Sequence, residues 1–295
     1  MEAEKELVKE HWENETCGTR YGQGDRQEYF QEISRTRYEL APAILDLANF
    51  PGSKGKSVLE IGVGAGTDFE NWCQYAEHAT GVDLTEAAIR LTTERLALKG
   101  VPNDKFSLIQ VDAEQLPFGD DSFDIVYSFG VLHHTPNPPK AFSEACRVLK
   151  PGGQLLGMVY QVPSVSGFLL YVRHGLLKGK PFASQKEIVF KYLESPGTHA
   201  YSKKEAAELL TKAGFSDVTI TTAFNPGDLL TLKLSSRYSS PIYKVIQVLY
   251  PRWLVRLFWK NHGLELMLKA TKQPHGSSRS QSAAQEQGSA IPSRA

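Results

Sequence analysis

Three glycines at alternate positions, Gly62, Gly64 and Gly66, follow the aliphatic run Val58-Leu-Glu-Ile61, and Asp83 closes the next apolar run. Glycine lets the backbone take positive φ and approach a ligand with no Cβ in the way. Phe69, Trp72, Cys73 and Ala76 then recur at the spacing of an amphipathic helix. Strand, glycine turn, helix and strand-terminal carboxylate describe a nucleoside-binding α/β unit, with Asp83 placed to accept from ribose hydroxyls. A dinucleotide fingerprint needs glycine at its sixth position, where this chain has Thr67. Glu60, two residues before the first glycine, would also repel a pyrophosphate.

The G-x-G-x-G spacing resembles motif I of the class I methyltransferases that use S-adenosylmethionine (SAM), and further signatures of that family follow in order. Val111-Asp-Ala-Glu-Gln-Leu-Pro-Phe118 resembles the third-strand motif, and Phe123 to His134 the fourth strand with the loop leaving it. Glu144 to Gly153 resembles the helix and turn before strand five. The resemblance spans roughly residues 55 to 160 and is nearest the type 11, ubiquinone–menaquinone-like small-molecule branch. It implies an α/β fold with a Rossmann-like seven-stranded sheet, helices on both faces, SAM as cofactor and S-adenosylhomocysteine (SAH) as product. The cofactor-binding set it implies is Glu60 (methionine ammonium), Gly62, Gly64, Gly66, Asp83, Leu84, Asp112 (adenine amino group), Ala113 (amide to the adenine ring) and Phe129. Tyr21 and Arg37 join that set from an N-terminal segment that in relatives folds over the cofactor, with Arg37 suited to the methionine carboxylate.

His133 and His134 follow strand four, where the resemblance puts the transferred methyl. Histidine titrates near neutrality and can take a proton from an acceptor O–H, N–H or S–H. The alternative is that the pair only shapes the loop. Trp12 and Tyr160 are pocket walls or simply core.

The elements that must position these groups alternate strand and helix, as a parallel sheet covered on both faces requires. Strands are expected at Ser57–Ile61, Ala79–Asp83, Phe106–Asp112, Phe123–Ser128, Gln154–Tyr160, Asp217–Thr222 and Leu264–Thr271, the last antiparallel beside the sixth. Pro151-Gly-Gly153 is expected to stop the helix carrying Phe142, Ala145, Cys146 and Leu149. Ser202-Lys-Lys-Glu205 is a capping box opening a helix that ends at Gly214. The expected organisation is a helical lid over residues 1–50, a SAM-binding core over 51–160 and an apolar cap insertion over 161–198. A helix and strand six follow over 199–225, a helical cap insertion over 226–262, strand seven over 263–272 and a disordered tail over 273–295.

The 295 residues hold 33 lysines and arginines against 33 aspartates and glutamates, so no global basic excess recruits nucleic acid. Three scattered cysteines suggest neither a disulfide framework nor a zinc site, and no metal is expected. The charged start lacks a signal-peptide core, which makes cytoplasmic the default. Two segments, 167–177 and 242–259, are unusually apolar for insertions, yet neither fits a membrane span. Arg252, Arg256 and Lys260 recur beside Trp253, Leu257 and Trp259, the pattern of an interfacial helix on anionic lipid. Packing of that face on the cap is the favoured alternative, and burial against a second subunit, as a homodimer in place of a monomer, is a third.

The sequence therefore points to methyl transfer onto a small or lipid-like acceptor in an enclosed, largely apolar pocket, the atom methylated being open. RNA or protein methylation is a second reading, non-catalytic SAM sensing or assembly a third, and a NAD-dependent dehydrogenase a distant fourth.

Overall fold

The computed structural model describes residues 2–195, 197–231 and 247–274. Before the sheet lie α1 (Glu2–Asn14), α2 (Arg26–Leu40) and α3 (Ala43–Ala48), the last two separated at Pro42. The core then alternates β1 (Ser57–Ile61), α4 (Thr67–Tyr75), β2 (His78–Asp83), α5 (Glu86–Leu98), β3 (Phe106–Gln110), β4 (Phe123–Phe129), α6 (Pro138–Val148) and β5 (Leu149–Gln161). There follow α7 (Val165–His174), α8 (Gln185–Tyr192), β6 (Ala200–Tyr201), α9 (Lys203–Lys212), β7 (Phe215–Ala223), α10 (Arg252–Phe258) and β8 (Glu265–Lys272).

The strands run β3-β2-β1-β4-β5-β8-β7, parallel except for β8, which is antiparallel to both neighbours. β1 is buried along nearly its whole length because helices cover both faces of a parallel sheet. One face packs Phe142, Ala145, Leu210 and Phe215 of α6, α9 and β7 on the sheet. The other packs Ile44, Phe50, Phe69, Trp72 and Leu96. β7 alternates inward and outward residues, as an edge strand with one wet face should. Cys73 and Cys146 are small buried members of these cores.

Four details depart from the sequence expectation. The sheet has an eighth strand, β6, two residues long. β4 ends at Phe129 opposite Met158 while β5 continues to Gln161, and Ala200–Tyr201 pairs with the edge left open. β5 begins at Leu149 and passes through the Pro-Gly-Gly turn, because Gly152 takes φ +78° and the register with β4 shifts there. β3 stops at Gln110, which leaves Asp112 in the loop beyond it. In the second insertion α10 starts after Pro251, but Trp253, Leu257 and Trp259 are exposed and do not pack on the cap. Much of that insertion, residues 232–246, and almost all of the expected disordered tail, 275–295, lie outside the described residues.

Candidate active site

The glycine loop is shaped by what presses on it. Gly62 (φ +85°) carries no Cβ, and one would lie 2.2 Å from Val131, so the loop after β4 rests directly on the loop after β1. Gly64 (φ +53°) lies under Cys17, which stands 3.6 Å from where its Cβ would be. The Gly64 amide donates to Asp83 Oδ2 (3.1 Å), while Oδ1 accepts from the Thr85 amide and hydroxyl. Asp83 is thereby oriented at the strand end. Leu84 follows it, its carbonyl accepting from Gln110.

Glu60 is buried on β1, and its Oε2 has no hydrogen-bond partner. Burial, then the neighbouring Asp68 and Asp83 charges, push its pKa well above the ordinary carboxyl range, against the opposite pull of Arg37. An orphaned buried carboxyl calls for a donor, and a ligand ammonium beside the glycine loop would supply one. With the glycine loop and Asp83, these residues fit SAM.

Arg37 is engaged by Asp68, through Nε at 3.0 Å and Nη2 at 2.5 Å. Asp68 sits in the first turn of α4, where the helix dipole favours a carboxylate. It also accepts from the hydroxyls of Tyr38 (3.1 Å) and Tyr127 (2.7 Å). The Arg37 guanidinium lies 5.3 Å from the centre of the Phe129 ring. Fully buried Arg95 holds the loop from below, donating to Glu70, Thr67 and the carbonyls of Ala65 and Phe30, with Ser34 as a further partner.

Helix α1 crosses the strand ends. Near its start Lys5 pairs with Asp112 and Glu114 after β3, and near its end Glu13 accepts from the Glu86 (3.1 Å) and Ala87 (2.9 Å) amides that open α5. These anchors are eight residues apart, about 12 Å along a helix. Asp112, placed by sequence at the adenine, is thus held by Lys5 and by the Glu114 amide (2.9 Å), and Ala113 beside it is buried. Tyr21 accepts from Arg20 in the 3-10 turn that follows α1. Neither Lys5 nor Glu13 carried a motif signal, since each acts across a long sequence separation.

The two histidines part company. His133 is sealed, with neither ring nitrogen partnered, its ring 4.5 Å from that of Tyr160; burial, then His134, drives its pKa well down and keeps it neutral. His134 Nδ1 lies 3.0 Å from Ser195 Oγ and 3.1 Å from Thr198 Oγ1, and its Nε2 is 3.4 Å from Glu194 Oε2. Trp12 meets the His134 ring edge-on at 5.5 Å. Burial would raise the Glu194 pKa, but His134, the Tyr160 hydroxyl and Arg20 together hold it below the usual range. The Glu194 side chain is still 41% exposed, and Cys17 is exposed although its neighbours push its thiol up by desolvation. Glu194 lies in the first insertion, where no motif marks it.

Glu265 opens β8 opposite Tyr160. Burial, then the Asp228 charge, pushes its pKa up to about 8. A separate cleft of about 350 Å³ lies between the N-terminal helices and α5, lined by Glu13, Arg26, Arg90 and Glu94 among others. It contains none of the motif residues.

A parallel sheet with an antiparallel last pair, a glycine loop after β1 and an acidic end to β2 define a nucleoside-binding protein of the Rossmann-like type. Residues 59–157 match the family described as a methyltransferase domain. Demethylmenaquinone methyltransferase of Clavibacter sepedonicus is 30% identical over 169 residues, 56% of this chain and 67% of that protein. Among solved structures, a Haloferax volcanii complex of the Trm112 methyltransferase activator with a methyltransferase aligns with a TM-score of 0.62 at 18% identity, covering 91% of this chain and 98% of that one. Geranyl diphosphate C-methyltransferase of Streptomyces coelicolor A3(2), in complex with Mg2+, geranyl diphosphate and SAH, aligns at 0.60 with 16% identity and the same coverages. The chain belongs to the class I SAM-dependent methyltransferases: it is an enzyme, and SAM is its cofactor. Among the described residues no helix is long and apolar enough to cross a membrane.

Two outcomes follow from the buried carboxyls. Burial holds the Glu60 pKa well above the ordinary carboxyl range in the free protein, and a ligand ammonium beside it would favour the carboxylate, so SAM binding should release a proton. Calorimetry in buffers of different ionisation enthalpy should show that release, and Glu60→Gln should abolish it and weaken binding about tenfold or more, the worth of one charge-assisted hydrogen bond. For Glu265, a carboxyl raised in the folded state stabilises the fold fully below about 4.5, and that stability is lost as pH rises through about 8. Melting temperatures taken between about pH 6 and about pH 9 should fall less steeply for Glu265→Gln than for the native chain.

Proposed function

We propose that this methyltransferase acts on a small molecule whose hydroxyl or amine is oriented by Glu194 of the first insertion. The carrying observation is the Glu194–His134 pair, 3.4 Å apart, with the carboxylate 41% exposed and its charge acting on Cys17, which lies over Gly64. SAM supplies an electrophilic methyl on a sulfonium; everything else falls to the residues around it. Glu60, the glycine loop and Asp83 hold the amino-acid and ribose portions, and Asp112 and Ala113 the adenine. Residues 1–50 act as a lid, α1 roofing the adenosine half between its Lys5 and Glu13 anchors. Arg37 is a positioning residue, fixing Asp68 and the start of α4.

At the acceptor side the hydroxyl of Ser195 can donate to His134 Nδ1, which leaves the proton on Nε2, facing Glu194. In that tautomer the Nε2–H faces the carboxylate at 3.4 Å, without an aligned hydrogen bond, and steadies it electrostatically. Glu194 then takes the hydrogen bond, and finally the proton, from the acceptor O–H or N–H. The base role expected of the histidines thus moves one residue outward. His133, sealed and neutral, packs the loop. Orientation of the nucleophile can itself supply about 7–11 kcal/mol, which suits a carboxylate that is a weak base and a good aligner. The first insertion brings Glu194 to His134. The side chains around Glu194, namely His134, Tyr160, Arg20 and Glu265, are more polar than the apolar pocket expected from the insertions. This favours an acceptor that is polar at the reacting end, whatever its remainder.

Glu194→Gln should lower kcat by about 100-fold, within the range of a lost proton acceptor, and leave SAH affinity unchanged. With a hydroxyl acceptor, which does not itself titrate in the acid range, the native kcat/KM profile should be flat down to the low pKa of Glu194, whereas His134→Asn should carry the acid limb upward, because a group that lowers that pKa is gone. Rates over an acceptor panel rich in phenols and amines check this; full turnover by Glu194→Gln would refute it.

A further inference from the structure

Charge in this balanced chain is unevenly distributed. Residues 162–186 and 229–264 hold ten lysines and arginines and not one aspartate or glutamate. Both segments leave the fold at one anchor. Buried Asp228 accepts from the amides of Ser166 (2.8 Å), Asn225 (3.0 Å) and Leu264 (2.8 Å), and the Val165 amide donates to the His262 carbonyl (2.8 Å). From that anchor they present large apolar side chains to water. Phe182 is 99% exposed, Leu177 77%, Trp253 68% and Phe258 68%, with Phe168, Val248, Leu249 and Leu257 also exposed. Arg256 and Lys260 stand among the last group, while Arg252 is turned inward to the carbonyls of Leu229 and Leu230.

We propose that residues 162–186 and 247–264 form a docking face for an anionic lipid surface. Exposed apolar clusters of this size mark interaction sites, and cations interleaved with Trp, Phe and Leu are the composition that enters a headgroup layer. Charge decides between occupants. A second copy seated on the same face would set cation against cation with no carboxylate in either segment to offset them. A nucleic acid would complement the cations and stack on the rings, but would gain nothing from exposed Leu177, Leu249, Leu257 and Val248. An anionic bilayer satisfies the cations and the aliphatic groups together. The face requires no particular methyl acceptor, so it stands or falls apart from the reading of Glu194.

The full chain is sedimented with vesicles of phosphatidylcholine alone and of equimolar phosphatidylcholine and phosphatidylglycerol, with SAH present and no acceptor. The anionic vesicles should bind about tenfold more protein, less so at high salt because the attraction is screened. Trp253→Ala with Phe258→Ala should remove binding to both vesicles, and Arg256→Glu with Lys260→Glu the preference for anionic ones. These side chains are exposed or lie at the helix surface, so unchanged melting temperatures and SAH affinity verify the fold. Absence of binding to anionic vesicles, a dimer that the aromatic double variant dissociates, or binding to a single-stranded oligonucleotide in preference to vesicles would each overturn the proposal.

Discussion

The structure hangs on the Asp68 carboxylate. It is almost wholly buried at the start of α4 and receives both arms of Arg37 and the hydroxyls of Tyr38 and Tyr127. Those donors come from α2 and β4, so one acid joins the N-terminal helices to the helix that follows the glycine loop and to the sheet beneath. Removing two charges from water is costly, and such a pair is maintained only where its geometry satisfies nearly every lone pair and proton. Its effect is to fix position more than to add stability. Arg95 does the same from the other side, gripping α2, the glycine loop and Glu70 at once.

Once α2 is fixed, α1 is carried across the ends of β2 and β3, where Lys5 and Glu13 find their partners. Carboxyl groups gather at the cofactor end, in Glu60, Asp68 and Asp83, and again around Glu194 and Glu265, with burial holding Glu60 and Glu265 toward the protonated form. Arg37 lies among these charges and pulls against the rise in Glu60 and Glu265. A cationic cofactor matches that field. On the proposed reading, the orphaned oxygen of Glu60 is a binding feature and not a defect of the core.

The core was legible because its signals are local. β1 and β4 are short, buried runs, the glycine loop sits at a fixed offset from β1, and Asp83 closes β2 where an acidic residue is needed. What escaped reading depends on partners distant in sequence. β6 has no strand pattern of its own and exists because β5 outruns β4. Arg95 looks like any arginine on a helix, yet it is fully buried, since only the fold brings Ala65, Thr67 and Phe30 around it. Glu194 sits in an insertion whose hydrophobicity suggested an apolar wall, and its importance comes from His134, 60 residues earlier. The apolar stripe of 253–259 was correctly seen as a helix, but its burial was not, because periodicity shows which residues share a face and not what covers it.

Hydrogen exchange of the full chain with and without SAH tests most directly whether α1 roofs the bound cofactor. The account predicts slowed exchange in four places: residues 60–66, 83–85, 112–114 and, together with them, the last turns of α1 through Tyr21. Protection of the glycine loop with no change in residues 5–21 would contradict it, and would place the N-terminal helices outside the cofactor site.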